Sequence, residues 1–426
     1  MNQLNVVIPI LMMMLTILAS NILFFVTNNS PIYYSFYALF YILGYFYVLI
    51  FSKIQLKFTH IVILVLALRL YLFAIAYNDD AYAITLFGLH ETGDSVRYHI
   101  SFVIKHIHDF NDLVFYTLFS NDDYSGRLLR SVIYFYTELL NLLDINDNNI
   151  INIGRINYLV NTILIIFILN LIYKTSYIYS LSNAFSQRAV FFIAFNPFFL
   201  NYTSAPLKEI FVFLSLSLFL KFIVELKYKD KKNYKLFYLS LFILLFERLY
   251  MVPLLIFIYI FVNKNNINKI FLFVFMIIIL ILTEVFIGID RGVNIYFNFR
   301  NNITSIGESY LGNNHGVISN IARTILGPMF LRPFLNEYMP NNIFYALSYL
   351  SYLLMYLISV KAFLNIKEFS SKLIILTLFY IFIFWPFHST LKITILIIFS
   401  TIFLDSVSFV KLSNRRRGWG ENNNSR

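Results

Sequence analysis

Ten apolar runs dominate the chain, near residues 5–27, 32–52, 58–77, 156–173, 189–204, 207–226, 270–288, 342–361, 372–388 and 391–410. Each approaches the roughly 20 residues that a helix needs to cross the hydrocarbon core of a bilayer. A soluble fold has no way to hide that much apolar surface. Of the 426 residues 59% are hydrophobic and 13% charged, against roughly 45–50% and about 25% in an ordinary soluble domain. The polar surface needed to wet several soluble domains is missing. The first run lacks a basic leader and a small-residue cleavage site, so it is expected to remain as a helix. Cysteine is absent, which removes disulfides, zinc–thiolate sites, iron–sulfur clusters and thiol nucleophiles together. The net charge of +11 fits cytoplasmic loops rich in Lys and Arg, and no nucleic-acid partner is expected.

The loops between the runs fix an orientation. Lys53 and Lys57, Lys174 and Arg188, the group Lys227, Lys229, Lys231, Lys232 and Lys235, then Lys264 and Lys269, and Lys361, Lys367 and Lys372 occupy alternate connections. With Lys411, Arg415, Arg416 and Arg417 in the tail they make up 18 of the 33 basic residues. The excess of positive charge on cytoplasmic loops puts all of them, and both termini, inside. The fold class expected is all-α: a polytopic membrane protein with about 10–12 transmembrane helices and two large periplasmic segments. Its parts are three N-terminal spans over 1–77, a periplasmic segment 78–154, central spans 155–287, a second periplasmic segment 288–341, three C-terminal spans over 342–410 and a basic tail 411–426. Residues 236–262 start and end inside and are too few for two ordinary spans. They are expected to form a hairpin of short helices, or a partly re-entrant pair, with Arg248 near its apex.

The outer segments hold most of the polar side chains able to do chemistry. Segment 78–154 carries 11 of the 22 acidic residues, and five of the seven histidines fall in the two outer segments. It contains Gly93-Asp94-Ser95-Val96-Arg97-Tyr98-His99, followed by a helical pattern in Ile100, Val103, Ile104 and Ile107. Residues 127–143 repeat the pattern, with Arg127, Arg130 and Glu138 charged, and predict an amphipathic helix along the outer interface. A carboxylate beside an Arg and a His at a membrane surface suits group transfer from a lipid-anchored donor. An Asp or Glu takes the proton of an attacking sugar hydroxyl, while Arg and Lys neutralise a departing diphosphate. The same Gly-Asp-Ser also reads as a helix cap, with Arg97 its surface partner.

Further along, Pro197 and Pro206 break one span and start another, leaving Lys208 and Glu209 at the outer head of a helix. Lys208, Arg155, Lys392 and Arg248 are cations on the side that such topologies deplete. A diphosphate site accounts for them, and so does snorkelling at the interface. Arg332 and Glu337 follow a Gly-Pro turn, where they either bind substrate or pair with each other. The acid pairs Asp79-Asp80 and Asp122-Asp123, and His106 with His108, suit a solvated loop as well as a cation, so no metal is assigned. Arg69 and Glu284 are charges inside apolar runs, which marks either function or pairing between packed helices.

Taken together, Gly93, Asp94 and Tyr98 in the first outer segment, Lys208-Glu209 heading a span, Arg248 with Tyr250, and Arg332-Pro333-Phe334 before a late span form a recognisable set. The chain resembles the Wzy-type polymerases of bacterial O-antigen and capsule, which are related in fold to the GT-C glycosyltransferases. The acidic motif follows the third span and not the first, which favours a polymerase over an ordinary GT-C transferase. The resemblance implies an inner-membrane enzyme without cofactor that joins undecaprenyl-diphosphate-linked repeat units on the periplasmic face. It further implies lipid-linked oligosaccharides as substrates, with a chain-length regulator and a flippase of the same pathway as partners. Asp94 would be the general base, with His99 or Glu209 as substitutes, and Arg97, Lys208, Arg248 and Arg332 would hold the diphosphate. Two other functions stay open: a GT-C transferase adding one sugar from a polyprenyl phosphate, and a flippase or transporter.

Overall fold

A computed structural model describes residues 57–78, 83–85, 88–90, 100–118, 126–143, 149–195, 209–228 and 233–247. Phe199, Leu200, Thr203, Met251, Val252, Leu255, Ile256 and Tyr259 are described singly or in pairs. The runs expected before residue 57 and after Tyr259 lie outside the described residues. So do Asp94, Arg97, His99, Lys208, Arg248 and Arg332.

Eight helices and one small ribbon are described. They are α1 (Phe58–Asn78), β1 (Ala83–Thr85), β2 (Gly88–His90), α2 (Ser101–His106), α3 (Phe110–Leu118), α4 (Arg127–Leu142), α5 (Asn149–Ser180), α6 (Asn183–Ala194), α7 (Glu209–Tyr228) and α8 (Tyr234–Glu247). Apart from the antiparallel pairing of β1 with β2, from Ala83 opposite His90 to Thr85 opposite Gly88, the described elements are helical. Within α5, Ile150–Tyr179 is long and apolar enough to cross a membrane; the apolar part of α1, Phe58–Ala74, is shorter.

Helix α5 runs past both ends of the apolar stretch 156–173 and starts ahead of the expected boundary at 155. Its polar residues do not break it because they satisfy themselves. The hydroxyls of Thr175 and Ser176 donate to the carbonyls of Leu171 and Ile172, at 2.7 and 2.8 Å, so they need no water. Lys174, expected in a loop, is an exposed residue of this helix. The helix stops at Leu181, whose φ of 53° is left-handed and whose N–H bonds the Tyr177 carbonyl at 2.8 Å. Glycine more often fills such a cap. Only Leu181 and Ser182 separate α5 from α6, which ends at Ala194, ahead of the Asn196-Pro197 break.

Ring contacts set the helix directions. Phe58 lies 4.9 Å from Tyr173 and Phe73 5.9 Å from Tyr158, so α1 and α5 are antiparallel. Phe222 meets Tyr234 and Phe237 at 5.8 and 5.1 Å, and the Ser215 hydroxyl donates to the Ser240 carbonyl at 2.8 Å. The pair α7–α8 is therefore also antiparallel, and α7 packs on α5. Helix α8 has 14 residues, about 21 Å at 1.5 Å per residue, short of the roughly 30 Å hydrocarbon core. Beyond it the chain returns. The Tyr259 ring lies 5.0 Å from Phe237, tilted by 32°, and its hydroxyl lies 3.4 Å from that of Tyr234.

Helix α4 begins after Gly126, which enters it at a φ of 83°. Leu129, Ile133, Tyr136 and Leu140 form its buried stripe and pack toward α5 and α8. The charges depart from the sequence expectation of a solvent-facing polar side. Arg127 and Arg130 are buried, because α2 and α3 cover them. Arg127 donates to the Thr117 carbonyl at 2.9 Å, and the Arg130 guanidinium sits 4.1 Å over the Phe102 ring. Exposed instead are Phe135, Leu139, Leu142 and Leu143, so the apolar arc reaches about halfway round the helix. Helix α3 is capped reciprocally: Asp109 accepts the Asp112 N–H at 2.7 Å, and Asp112 accepts the His108 N–H at 3.0 Å.

One contact fastens α4 to α8. The Leu129 N–H, in the unpaired first turn of α4, donates to Glu247 Oε1 at 2.8 Å, and Glu247 is fully buried. A carboxylate there satisfies an orphan donor and faces the positive end of the helix dipole. Glu247→Ala is expected to cost about 1–3 kcal/mol, read as a lower thermal unfolding midpoint in detergent. Glu247→Gln, which keeps an acceptor, should recover part of the loss.

Candidate functional site

The antiparallel α7–α8 pair sorts its ends. At one end Tyr234 lies beside Phe222 and Tyr259. At the other, Glu209 opens α7 and Glu247 closes α8, where the Leu129 N–H of α4 meets it. The lysine-rich residues 229–232 follow α7 and precede α8 in the sequence, on the side of the first end. The two carboxylates thus share the end opposite those lysines.

Of the residues singled out in the sequence as catalytic or diphosphate-binding, Glu209 is the one that is described. The helix expected to start behind Pro206 starts at Glu209, and its side chain is 2% exposed. A carboxylate in the first turn is favoured by the helix dipole. Arg155, noted as an outer cation, is half-buried in the first turns of α5. Glu247 had no assigned role, although its signal was available: an acid inside an apolar run, next to Arg248.

Arg69 is the other residue with a larger role than its sequence context revealed. It is fully buried, and neutral oxygens surround it. Nε donates to the Thr162 hydroxyl at 2.9 Å, Nη1 to the Thr203 hydroxyl at 3.0 Å, and Nη2 to the Thr203 carbonyl at 2.8 Å. Its guanidinium carbon sits 4.7 Å over the Tyr158 ring. The Tyr158 hydroxyl returns a bond to the Arg69 carbonyl at 2.9 Å, and Asn161 donates to the same Thr203 carbonyl at 3.2 Å.

Among the described residues no group of three potential metal ligands occurs. His106 packs against the rings of Phe102 and Tyr116, at 4.9 and 6.2 Å, and His108 contributes its backbone to the α3 cap. The acid pairs Asp79-Asp80 and Asp122-Asp123 lie outside the described residues. Comparison with protein-family models, curated proteins and solved structures returns no match for this chain.

Two phenols of α4 are shifted by their surroundings. Burial pushes Tyr136 above the ordinary tyrosine value. Tyr134 is raised by burial and then by the negative charges of Glu138, Asp109 and Asp112. A raised folded-state pKa means that the unfolded chain loses the proton first, so stability falls as pH climbs above about 10. The Tyr136 hydroxyl has no hydrogen-bond partner, so Tyr136→Phe removes an unsatisfied group. Tyr136→Phe should leave the unfolding midpoint at pH 7 unchanged or slightly raised and flatten its decline between pH 9 and 11 (~two units around the tyrosine value), followed by thermal melts.

Proposed function

We propose that the protein is a polytopic inner-membrane polymerase of lipid-linked oligosaccharide repeat units, acting on the periplasmic face. The observation that carries this reading is the sorting of charge in the helical frame. Two buried carboxylates, Glu209 and Glu247, stand at the end of the α7–α8 pair away from the lysine-rich residues 229–232, and Glu247 meets the first turn of α4 in segment 78–154. The resemblance of Gly93-Asp94, Lys208-Glu209, Arg248 and Arg332 to Wzy-type motifs supplies the reaction class.

In this reading Asp94 takes the proton from a sugar hydroxyl of the incoming unit, with His99 or Glu209 able to substitute. The freed oxygen attacks the anomeric carbon of the growing chain from the face opposite the lipid. The bond to the undecaprenyl diphosphate breaks, and the diphosphate leaves with the electron pair and the lipid. Arg97, Lys208, Arg248 and Arg332 balance the charge that accumulates on it. Neither metal nor cofactor takes part.

Membrane insertion also explains why α4 has apolar side chains both inward and outward. Buried cations with Phe135, Leu139 and Leu142 exposed suit a helix whose outer arc rests in the interfacial region. The chain has no cysteine, so single-cysteine probes are unambiguous. In lipid vesicles an environment-sensitive fluorophore on Leu139→Cys is expected to shift to the blue and be quenched by lipid-borne quenchers. On Asn141→Cys, off the apolar arc, it should behave as in water. Equal water-like emission at both positions would remove the interfacial reading of α4.

The function itself is tested by a gel of surface polysaccharide from a strain lacking the gene, complemented with wild type or Asp94→Asn. The expected result is a ladder collapsed to core plus one repeat unit, restored by wild type and not by an Asp94→Asn chain present at normal level. A ladder of normal length with altered composition would replace this reading with single-sugar transfer. Repeat units trapped on the cytoplasmic face would replace it with transport.

A further inference from the structure

The surroundings of Arg69 are unbalanced in both charge and hydrogen bonding. Its guanidinium carries five N–H donors, and the three acceptors it meets belong to Thr162 and Thr203. Both threonine hydroxyls are already spent as donors, to the carbonyls of Tyr158 and Phe199 at 2.9 and 2.6 Å. The Thr203 carbonyl also accepts from Asn161, so its two lone pairs are taken. One helical turn from Asn161 on the same face of α5, Asn157 is buried and its amide nitrogen has no hydrogen-bond partner. Among the described residues no carboxylate pairs with Arg69. The cluster has donors to spare and a full positive charge with no anionic partner among the described residues.

Buried charges persist where they are paired, and surplus donors around a guanidinium match the oxygens of a phosphate. We propose that Arg69, with Asn157 and Asn161 of α5 beside Thr203, forms a binding subsite for a phosphate-class oxyanion. The anion would be carried either on a lipid headgroup or free.

The test uses the full chain purified in detergent, titrated with inorganic pyrophosphate in one arm and undecaprenyl phosphate in mixed micelles in the other. Thermal unfolding is the readout. A saturable rise in the midpoint is expected for wild type. Arg69→Gln keeps donors for Thr203 but not the charge, and should weaken the apparent affinity by about tenfold or more. Asn157→Leu loses no existing bond, so it should leave the unliganded midpoint unchanged and weaken the response several-fold. It serves as the decisive variant if Arg69→Gln does not fold. A response to both probes identifies the anion itself as the ligand, and a response to the lipid alone identifies the headgroup. No rise with either probe, or an equal rise in wild type and Asn157→Leu, would overturn the proposal. Binding is read without polymer synthesis, so this result and the polysaccharide gel succeed or fail separately.

Discussion

The frame depends on a guanidinium that holds three separate stretches of chain at once. Arg69 sits on α1, bonds Thr162 of α5 and bonds both the hydroxyl and the carbonyl of Thr203. Apolar side chains press helices together without strongly preferring one register over its neighbour one turn away. A fork of fixed geometry does prefer one, since each donor must meet its own acceptor. With Arg69 in place, Phe58 falls beside Tyr173 and Phe73 beside Tyr158. Thr203 is brought to α5 immediately before the chain enters α7. The position of Glu209 is thus inherited from a residue 140 positions earlier in the sequence.

The second pair of helices is registered by smaller devices. A serine hydroxyl crosses from α7 to a carbonyl of α8, and Phe222 sits among Tyr234, Phe237 and Tyr259. The return of the chain to Tyr259 makes α8 one arm of a short excursion. The arm ends at Glu247, whose carboxylate meets the first turn of α4. Two carboxylates and one helix origin are collected at one end with no long connection between them.

How much of this was legible in the sequence depends on whether a pattern is local. The starts of α1 and α7 follow from an apolar run behind Lys57 and from Pro206, signals that act within a few residues. The stripe Leu129, Ile133, Tyr136, Leu140 follows from helical spacing. The fate of Arg127 and Arg130 does not, because it is decided by Thr117 and Phe102 on other helices. The length of α5 was hidden for a related reason: Thr175 and Ser176 look like breakers until their hydroxyls turn back on the preceding turn. For the candidate site, Glu209 was legible from its place behind a proline. Glu247 and Arg69 needed their distant partners, residues 118 and 134 positions away.

The Glu247 contact leaves an uneven imprint on the two positions that make it. At 129 the donor is a main-chain N–H, which every residue but proline carries. That position can drift through almost any side chain that the surrounding packing accepts. At 247 the acceptor is a side-chain oxygen of a particular reach, and few residue types supply one. In a lineage of diverging sequences the tie between α4 and α8 would therefore survive as a lone acid in an apolar stretch, with no correlated change at its partner. Methods that infer contacts from paired substitutions would pass over one of the bonds that hold this end of the molecule together.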